Sequence, residues 1–187
     1  MDLPAHPLAR KASKLLNRFF NVCWLVPVNV AEDERIIRAI YSPFHVGKNN
    51  KLKHQAYDPT PQTDEISVMR MEHMGAPHCR RKAQLFENLT KKKEYHGLAV
   101  LKVAAVHLSG MQIVDSRKQF CGHADIRLMM EELAHREGGE PLPPEVGKRY
   151  KDLKERLLKA SVFIPDPLPR VHNLRSCAFL SKVENQL

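Results

Sequence analysis

The sequence predicts an α+β fold, a small and mainly antiparallel sheet flanked by helices in a single domain over residues 1–187. Three observations carry this. Gly97–Leu108 is apolar on both of its alternating faces, the pattern of a strand covered on both sides. Segments of helical periodicity lie on either side of it, at Leu8–Phe19 and Pro144–Ala160. With 187 residues, of which 43% are hydrophobic, the chain can bury one core of ordinary size, which argues against general disorder and against two independent cores.

The elements follow in order. Leu8, Ala12, Leu15, Leu16, Phe19 and Cys23 keep helical spacing with Arg10, Lys11, Lys14 and Arg18 opposite them, so the first helix has a basic outer face. Pro27 ends regular helix, and Trp24–Val28 reads as an extended, buried connector. Arg35–Tyr41 is rich in β-branched residues and reads as a strand, with a short helix as the alternative. Ser42–Thr63 holds Pro43, Gly47, Asn49, Asn50, Pro59 and Pro61, so it is irregular, with at most a short hairpin through Gly47–Asn50. Ile66–Met71 is a strand. Pro77 suits the first position of a helix whose stripe is Cys79, Ala83, Phe86 and Leu89, running to about Lys93.

Gly97–Leu108 is then the central strand, Ser109-Gly110 a turn, and Met111–Val114 its antiparallel neighbour. Ile126, Met129, Met130 and Leu133 suit a helix over Ala124–His135 that Gly138-Gly139 stops. Pro143-Pro144-Glu145 starts another, buried through Val146, Tyr150, Leu153 and Leu157. A proline-rich segment over 165–187 closes the chain, with Val171, Leu174, Cys177, Phe179 and Leu180 available to pack.

Lys and Arg number 30 against 21 Asp and Glu, a net charge of +9 that favours anionic partners. No apolar run approaches the roughly 20 residues that span a bilayer, and the N-terminal stretch lacks the pattern of a secretory signal. Cytoplasmic residence and no membrane contact are the expectations. Cys23, Cys79, Cys121 and Cys177 lie far apart with no C-x-x-C pair, so free thiols are expected. There is no G-x-S-x-G, P-loop or G-x-G-x-x-G, which weighs against acyl transfer and nucleotide cradling. No cofactor is expected.

Metal-independent RNA cleavage needs a base, an acid and a cation at the phosphorus. His96, His107, His123 and Asp125 are the candidates for proton transfer, with Arg117 or Lys118 as the cation. Arg117 and His123 match the R-x4–6-H spacing of HEPN ribonucleases, where the motif lies on a helix; here Gly122 argues for a loop. The ordinary alternative is a part-buried histidine satisfied by backbone. His78, Cys79, Cys121 and His123, with His73 nearby, could surround zinc, but the spacing fits no finger and Cys79 falls on an apolar stripe. Asp64-Glu65 before a strand could hold a divalent metal, although the partner acid and lysine of a nuclease are not in place. For nucleic-acid binding the candidates are Arg10, Lys14, Arg18, Arg80, Arg81, Lys91, Lys92 and Lys93. Their ordinary role is a solvated helix face, with Lys91–Lys93 complementing a helix dipole.

Three stretches carry a resemblance: Tyr41–Val46 with Lys51–Lys53, Asp64–Arg70, and His123–Ile126 with Gly139–Pro143. Together they resemble the small ancillary protein of type III-E CRISPR loci, discontinuously over Tyr41 to Ala160. Such loci pair an RNA-guided RNase with a caspase-like protease. The resemblance implies a regulatory partner from the same locus and supplies no catalytic residues, although His45, Asp64, His123 and Asp125 fall within its motifs. The leading expectation is therefore a non-enzymatic adaptor in an antiviral pathway. The alternative is an RNA-binding protein or a metal-independent ribonuclease.

Overall fold

The computed structural model describes residues 23, 26–59, 65–87, 93–117, 120–128 and 143–166. The strands are β1 (Arg35–Ser42), β2 (Glu65–Arg70), β3 (Glu94–Lys102), β4 (Met111–Asp115), β5 (His123–Leu128) and β6 (Val162–Pro165). The helices are α1 (Met71–Met74), α2 (Ala76–Leu85), α3 (Val103–Leu108) and α4 (Pro144–Ala160), with a 3-10 turn at His54–Tyr57. The fold is α+β: one antiparallel sheet in the order β4-β5-β2-β1-β3-β6, with packing on both faces.

Alternation along each strand sends successive side chains to opposite faces. Ile36 and Ile40 join Ile66, Val68, Ala99, Leu101, Ala124 and Ile126 under α3, α4 and the 3-10 turn. Ile37, Tyr41, Met69, Leu98 and Val100 face α1 and α2 through Met74, Cys79 and Ala83. Helix α4 has the expected bounds, with proline in its first turn and Val146, Tyr150 and Leu157 buried. The loop Val46–Leu52 closes as a small antiparallel bridge, the expected short hairpin.

Five expectations need correction. The strand proposed for Gly97–Leu108 ends at Lys102, and Val103–Leu108 is the helix α3. Its first N–H groups donate to Glu34 O and Glu32 O, an anchor supplied from far along the chain. β3 lies one strand in from the β6 edge, and β1 and β2 hold the centre. β4 pairs with β5, not with β3. The helix proposed over Ala124–His135 is strand β5 as far as Leu128, beyond which the described residues stop. The helix from Pro77 ends at Leu85 with Phe86 exposed. The Leu8–Phe19 helix and the 167–187 tail lie outside the described residues.

The expectation of free thiols fails for Cys23 and Cys121, which form a disulfide across 98 residues of sequence with Cα atoms 4.9 Å apart. Cys79 is free and buried. A buried ion network fastens Cys23 and the 26–29 segment. Arg70, fully buried, donates to both oxygens of Glu34, to Asp115 and to the carbonyls of Pro27 and Asn29. Burial alone would raise the Glu34 pKa, but hydrogen bonds from His73 and Arg70 and the Arg70 charge bring it down to about 2.

Among the described residues no helix is long and apolar enough to cross a membrane.

Candidate functional site

The centre of the sheet is incompletely zipped. β1 and β2 pair only at Ile36↔Arg70 and Ile37↔Met69, after which they separate. Continued in register, Ala39 would face Ser67. Side chains fill that seam in place of the ladder. From β1, Arg38 Nε donates to Ala56 O (3.0 Å) and Nη1 to Ser67 O (2.7 Å). From the loop after β1, His45 Nδ1 accepts the Tyr41 N–H (3.2 Å) while its own backbone N–H donates to Tyr41 O (2.8 Å). Burial, with Arg38 and Lys93 nearby, lowers the His45 pKa to about 4, so the ring is neutral at ordinary pH.

The seam opens into a cavity of about 240 Å³. Its floor is Arg38, Ala39, Ser67 and Met69; Tyr41, His45 and Lys93 form one wall, and Phe120, His123 and Phe86 the other. Among the described residues none that lines it is acidic. Arg38 uses two of its guanidinium N–H groups on carbonyl oxygens, and among the described residues no carboxylate oxygen lies within ion-pair distance of it. Burial lowers its pKa, opposed by Tyr57, Tyr41, Tyr150 and Asp125, but an arginine stays charged in any protein environment. Lys93 Nζ sits 4.2 Å above the Tyr41 ring, whose hydroxyl donates to Ala83 O.

Lys93 is one sequence candidate that reaches this cavity, and His123 is the other. It begins β5, and Gly122 before it adopts φ 81°, where an added Cβ would stand 2.6 Å from the Met74 side chain. Its Nδ1 lies 2.8 Å from the Ser116 hydroxyl and 3.1 Å from the Ser116 carbonyl. Nε2 is buried, with no hydrogen-bond partner among the described residues. Asp125, two residues on along the same face, has Oδ1 3.8 Å from Nε2, beyond hydrogen-bond range.

The other candidates are elsewhere. Arg117 clamps Asp115 and the carbonyls of Cys23 and Val26, so it is structural and does not act with His123; no helix joins them. His107 is exposed on α3 beside Glu32. His96 bonds Asn50 and stacks on Phe163. The zinc set is dispersed: Cys121 is in the disulfide, Cys79 is core, and His78 is half-buried on α2 with its pKa lowered by burial and by Lys82 and Arg81. Among the described residues no cluster of three or more metal-ligating side chains exists. Glu65 pairs with Arg127.

Of the basic candidates, Arg80 pairs with Asp166 and Arg81 is exposed. Lys93 lines the cavity. Arg10, Lys14, Arg18, Lys91, Lys92, Lys118 and Asp64 lie outside the described residues. Sequence reasoning missed Arg38; its signal was a charged residue set among Ile36, Ile37 and Ile40 in a buried strand.

Comparison with known proteins returned no match, whether to a family model, a curated protein or a solved structure.

Proposed function

We propose that the protein binds single-stranded nucleic acid, RNA in the first instance, and seats a phosphate in the seam cavity. The observation that carries this is Arg38, a cation within the sheet that lines an open cavity, bonds two carbonyl oxygens and meets no described carboxylate at ion-pair distance. Burying a charge is costly unless an opposite charge meets it, and a phosphate entering the cavity supplies one. Lys93 and the Ser67 hydroxyl line the same space. The net charge of +9 adds the nonspecific attraction on which such binding builds. The narrow cavity favours a single strand, and Phe86, 48% exposed at its mouth, offers a face for a base.

Binding fits better than cleavage. A base or acid at neutral pH needs a pKa near that pH; the His45 pKa is about 4 and its Nδ1 is occupied by the Tyr41 N–H.

The test is fluorescence anisotropy with a labelled single-stranded RNA over a salt series, for wild type and Arg38→Met, with DNA of the same sequence as the comparison arm. Salt-dependent binding that Arg38→Met weakens supports the reading; affinity unchanged by the substitution refutes it. The adaptor role implied by the CRISPR-locus resemblance is the competing proposal, with exposed Leu85 and Phe86 as its apolar surface. It expects purification at high salt to retain a stoichiometric protein and moderate salt to retain no nucleic acid.

A further inference from the structure

Resting on the reading above, we infer that the Cys23–Cys121 disulfide is a redox-modification site that controls the seam cavity. Oxidised, it fixes the Phe120–His123 wall and sets high affinity; reduced by a dithiol, it frees that wall and lowers affinity. The ground is where the bridge is tied. Cys121 lies in the connection between β4 and β5, with Phe120 before it and Gly122 and His123 after it, and both Phe120 and His123 line the cavity. Neither cysteine is among the described residues that line it, so the bridge acts through the position of the wall and not by touching the ligand.

Noncovalent contacts complete the wall. Phe120 O accepts the His123 N–H (3.1 Å) and His123 O accepts the Ser116 N–H (3.2 Å), which curls the connection on itself. Gly122 O accepts the Arg70 N–H (2.7 Å), and the Phe120 ring meets Phe86 at 6.4 Å and Lys82 Nζ at 5.1 Å. The other sulfur belongs to a clamped segment. Arg117 donates to the carbonyls of Cys23 and Val26 at 3.0 Å each, and Arg70 to those of Pro27 and Asn29. The bridge therefore fastens one wall of the cavity to a segment that two arginines hold. A wall fixed in advance spares the ligand the cost of ordering it, which is how the oxidised form binds more tightly.

The same clamps make the change reversible. They run through backbone carbonyls and not through sulfur, so Cys23 stays beside Cys121 after reduction, at the high effective concentration that favours re-closure. Cys23 is half-buried and Cys121 buried, so an incoming thiolate attacks the Cys23 sulfur. The Cys23–Cys121 bond breaks, and Cys121 leaves as the thiolate and takes up a proton. The second thiol of the same dithiol then displaces Cys23. Two electrons and two protons have passed to the protein, and the dithiol departs as its own disulfide.

The experiment measures anisotropy of a labelled single-stranded RNA with the full chain, oxidised and after dithiothreitol, for wild type, Cys23→Ser and Arg38→Met. Reduced wild type should bind about tenfold more weakly, within the usual range of coupling between two sites. Cys23→Ser should bind at the reduced level in both buffers. Linkage requires the reciprocal effect: saturating RNA should raise, by the same factor, the ratio of reduced to oxidised dithiothreitol at which half the bridge is open, read by thiol labelling at Cys23. Amide exchange at Gly122 and His123 should quicken on reduction while exchange within β1 does not change. Equal affinity in both redox states, each weakened by Arg38→Met, overturns the redox control and leaves the phosphate reading standing. No binding in either state overturns both. A reduced protein that has lost its native circular dichroism makes the bridge a structural staple and overturns the control as well.

Discussion

Replacing Arg38 by methionine should leave the stability of the protein almost unchanged, whereas the same replacement at Arg70 should cost about 3–5 kcal/mol. Both arginines lie within the sheet, so the difference rests on partners. Arg70 meets Glu34 in a two-pronged pair at 2.9 and 2.7 Å and Asp115 at 2.8 Å. Its removal strands the fully buried Glu34 carboxylate with only His73 and the Ala31 N–H, while Asp115 keeps Arg117. At Arg38 the losses are two bonds to carbonyls, each worth about 1.5–3 kcal/mol from a charged donor. Against them stands relief of the desolvation of an ion that no described carboxylate meets at ion-pair distance, itself several kcal/mol. These opposed quantities cancel to within about 2 kcal/mol. Urea denaturation followed by circular dichroism at neutral pH measures both differences. An Arg38→Met loss as large as that of Arg70→Met would make Arg38 a structural plug and remove the basis for an anion in the cavity.

Acid should act in two windows. The His45 pKa is depressed from 6.5 to about 4, so its contribution is present above 6.5 and is lost as pH falls through 4, up to about 3 kcal/mol; a flat stability between pH 7 and 5 that His45→Asn does not alter contradicts this. Glu34, lowered from 4.5 to about 2, stabilises above 4.5 and loses that contribution as pH falls through 2, also about 3 kcal/mol. Denaturation curves between pH 5 and 2 should show a smaller acid-dependent loss in Glu34→Gln than in wild type. In Arg38→Met the His45 imidazole should titrate at higher pH by NMR, since one of the two nearby cations is gone; an unchanged midpoint argues against their proximity. Reducing the Cys23–Cys121 disulfide should lower stability by about 2–4 kcal/mol, read from denaturation with and without reductant.

How much of this was legible in the sequence depends on how local the cause is. Helix α4 is written in its own residues, a proline in the first turn and a stripe at Val146, Tyr150 and Leu157. β2 and the apolar alternation of Leu98–Leu101 are equally local. Val103–Leu108 could not be separated from a strand, because a continuous apolar run has no decisive period; what makes it a helix is the pair of carbonyls at Glu32 and Glu34 that accept its first N–H groups. Ile126 and Met129 suit a helix by spacing, but Ala124, Ile126 and Leu128 alternate with Asp125 and Arg127 as well, and pairing with both β2 and β4 decides for strand. The disulfide left no spacing signal at a separation of 98. His123 was visible as a polar residue in an apolar context, yet its companions Arg38, His45 and Lys93 come from three other segments, and only folding brings them to one cavity.

The seam itself is the strongest argument that this cavity is used. β1 pairs with β3 along its whole length, through a register shift at Ile40/Tyr41, so the strand is regular enough to have paired as fully with β2. Ile66 and Val68 suit a central strand no less, and β2 holds five consecutive partners on β5. A sheet selected for stability alone would continue the ladder from Ile37↔Met69 to Ala39 and Ser67. It would place an apolar residue at 38, since backbone ladders satisfy polar groups without burying a charge. Instead an arginine satisfies Ser67 O and Ala56 O, and a histidine held neutral satisfies the Tyr41 N–H. Arg38→Val is a direct experiment: with the cation gone and a β-branched residue in its place, β1 and β2 should close further. Amide hydrogen exchange at Ala39 and Ser67 should then slow relative to wild type, and the same protein should lose its phosphate affinity. Unchanged exchange with retained affinity would show that the seam is held open by something other than the charge it buries.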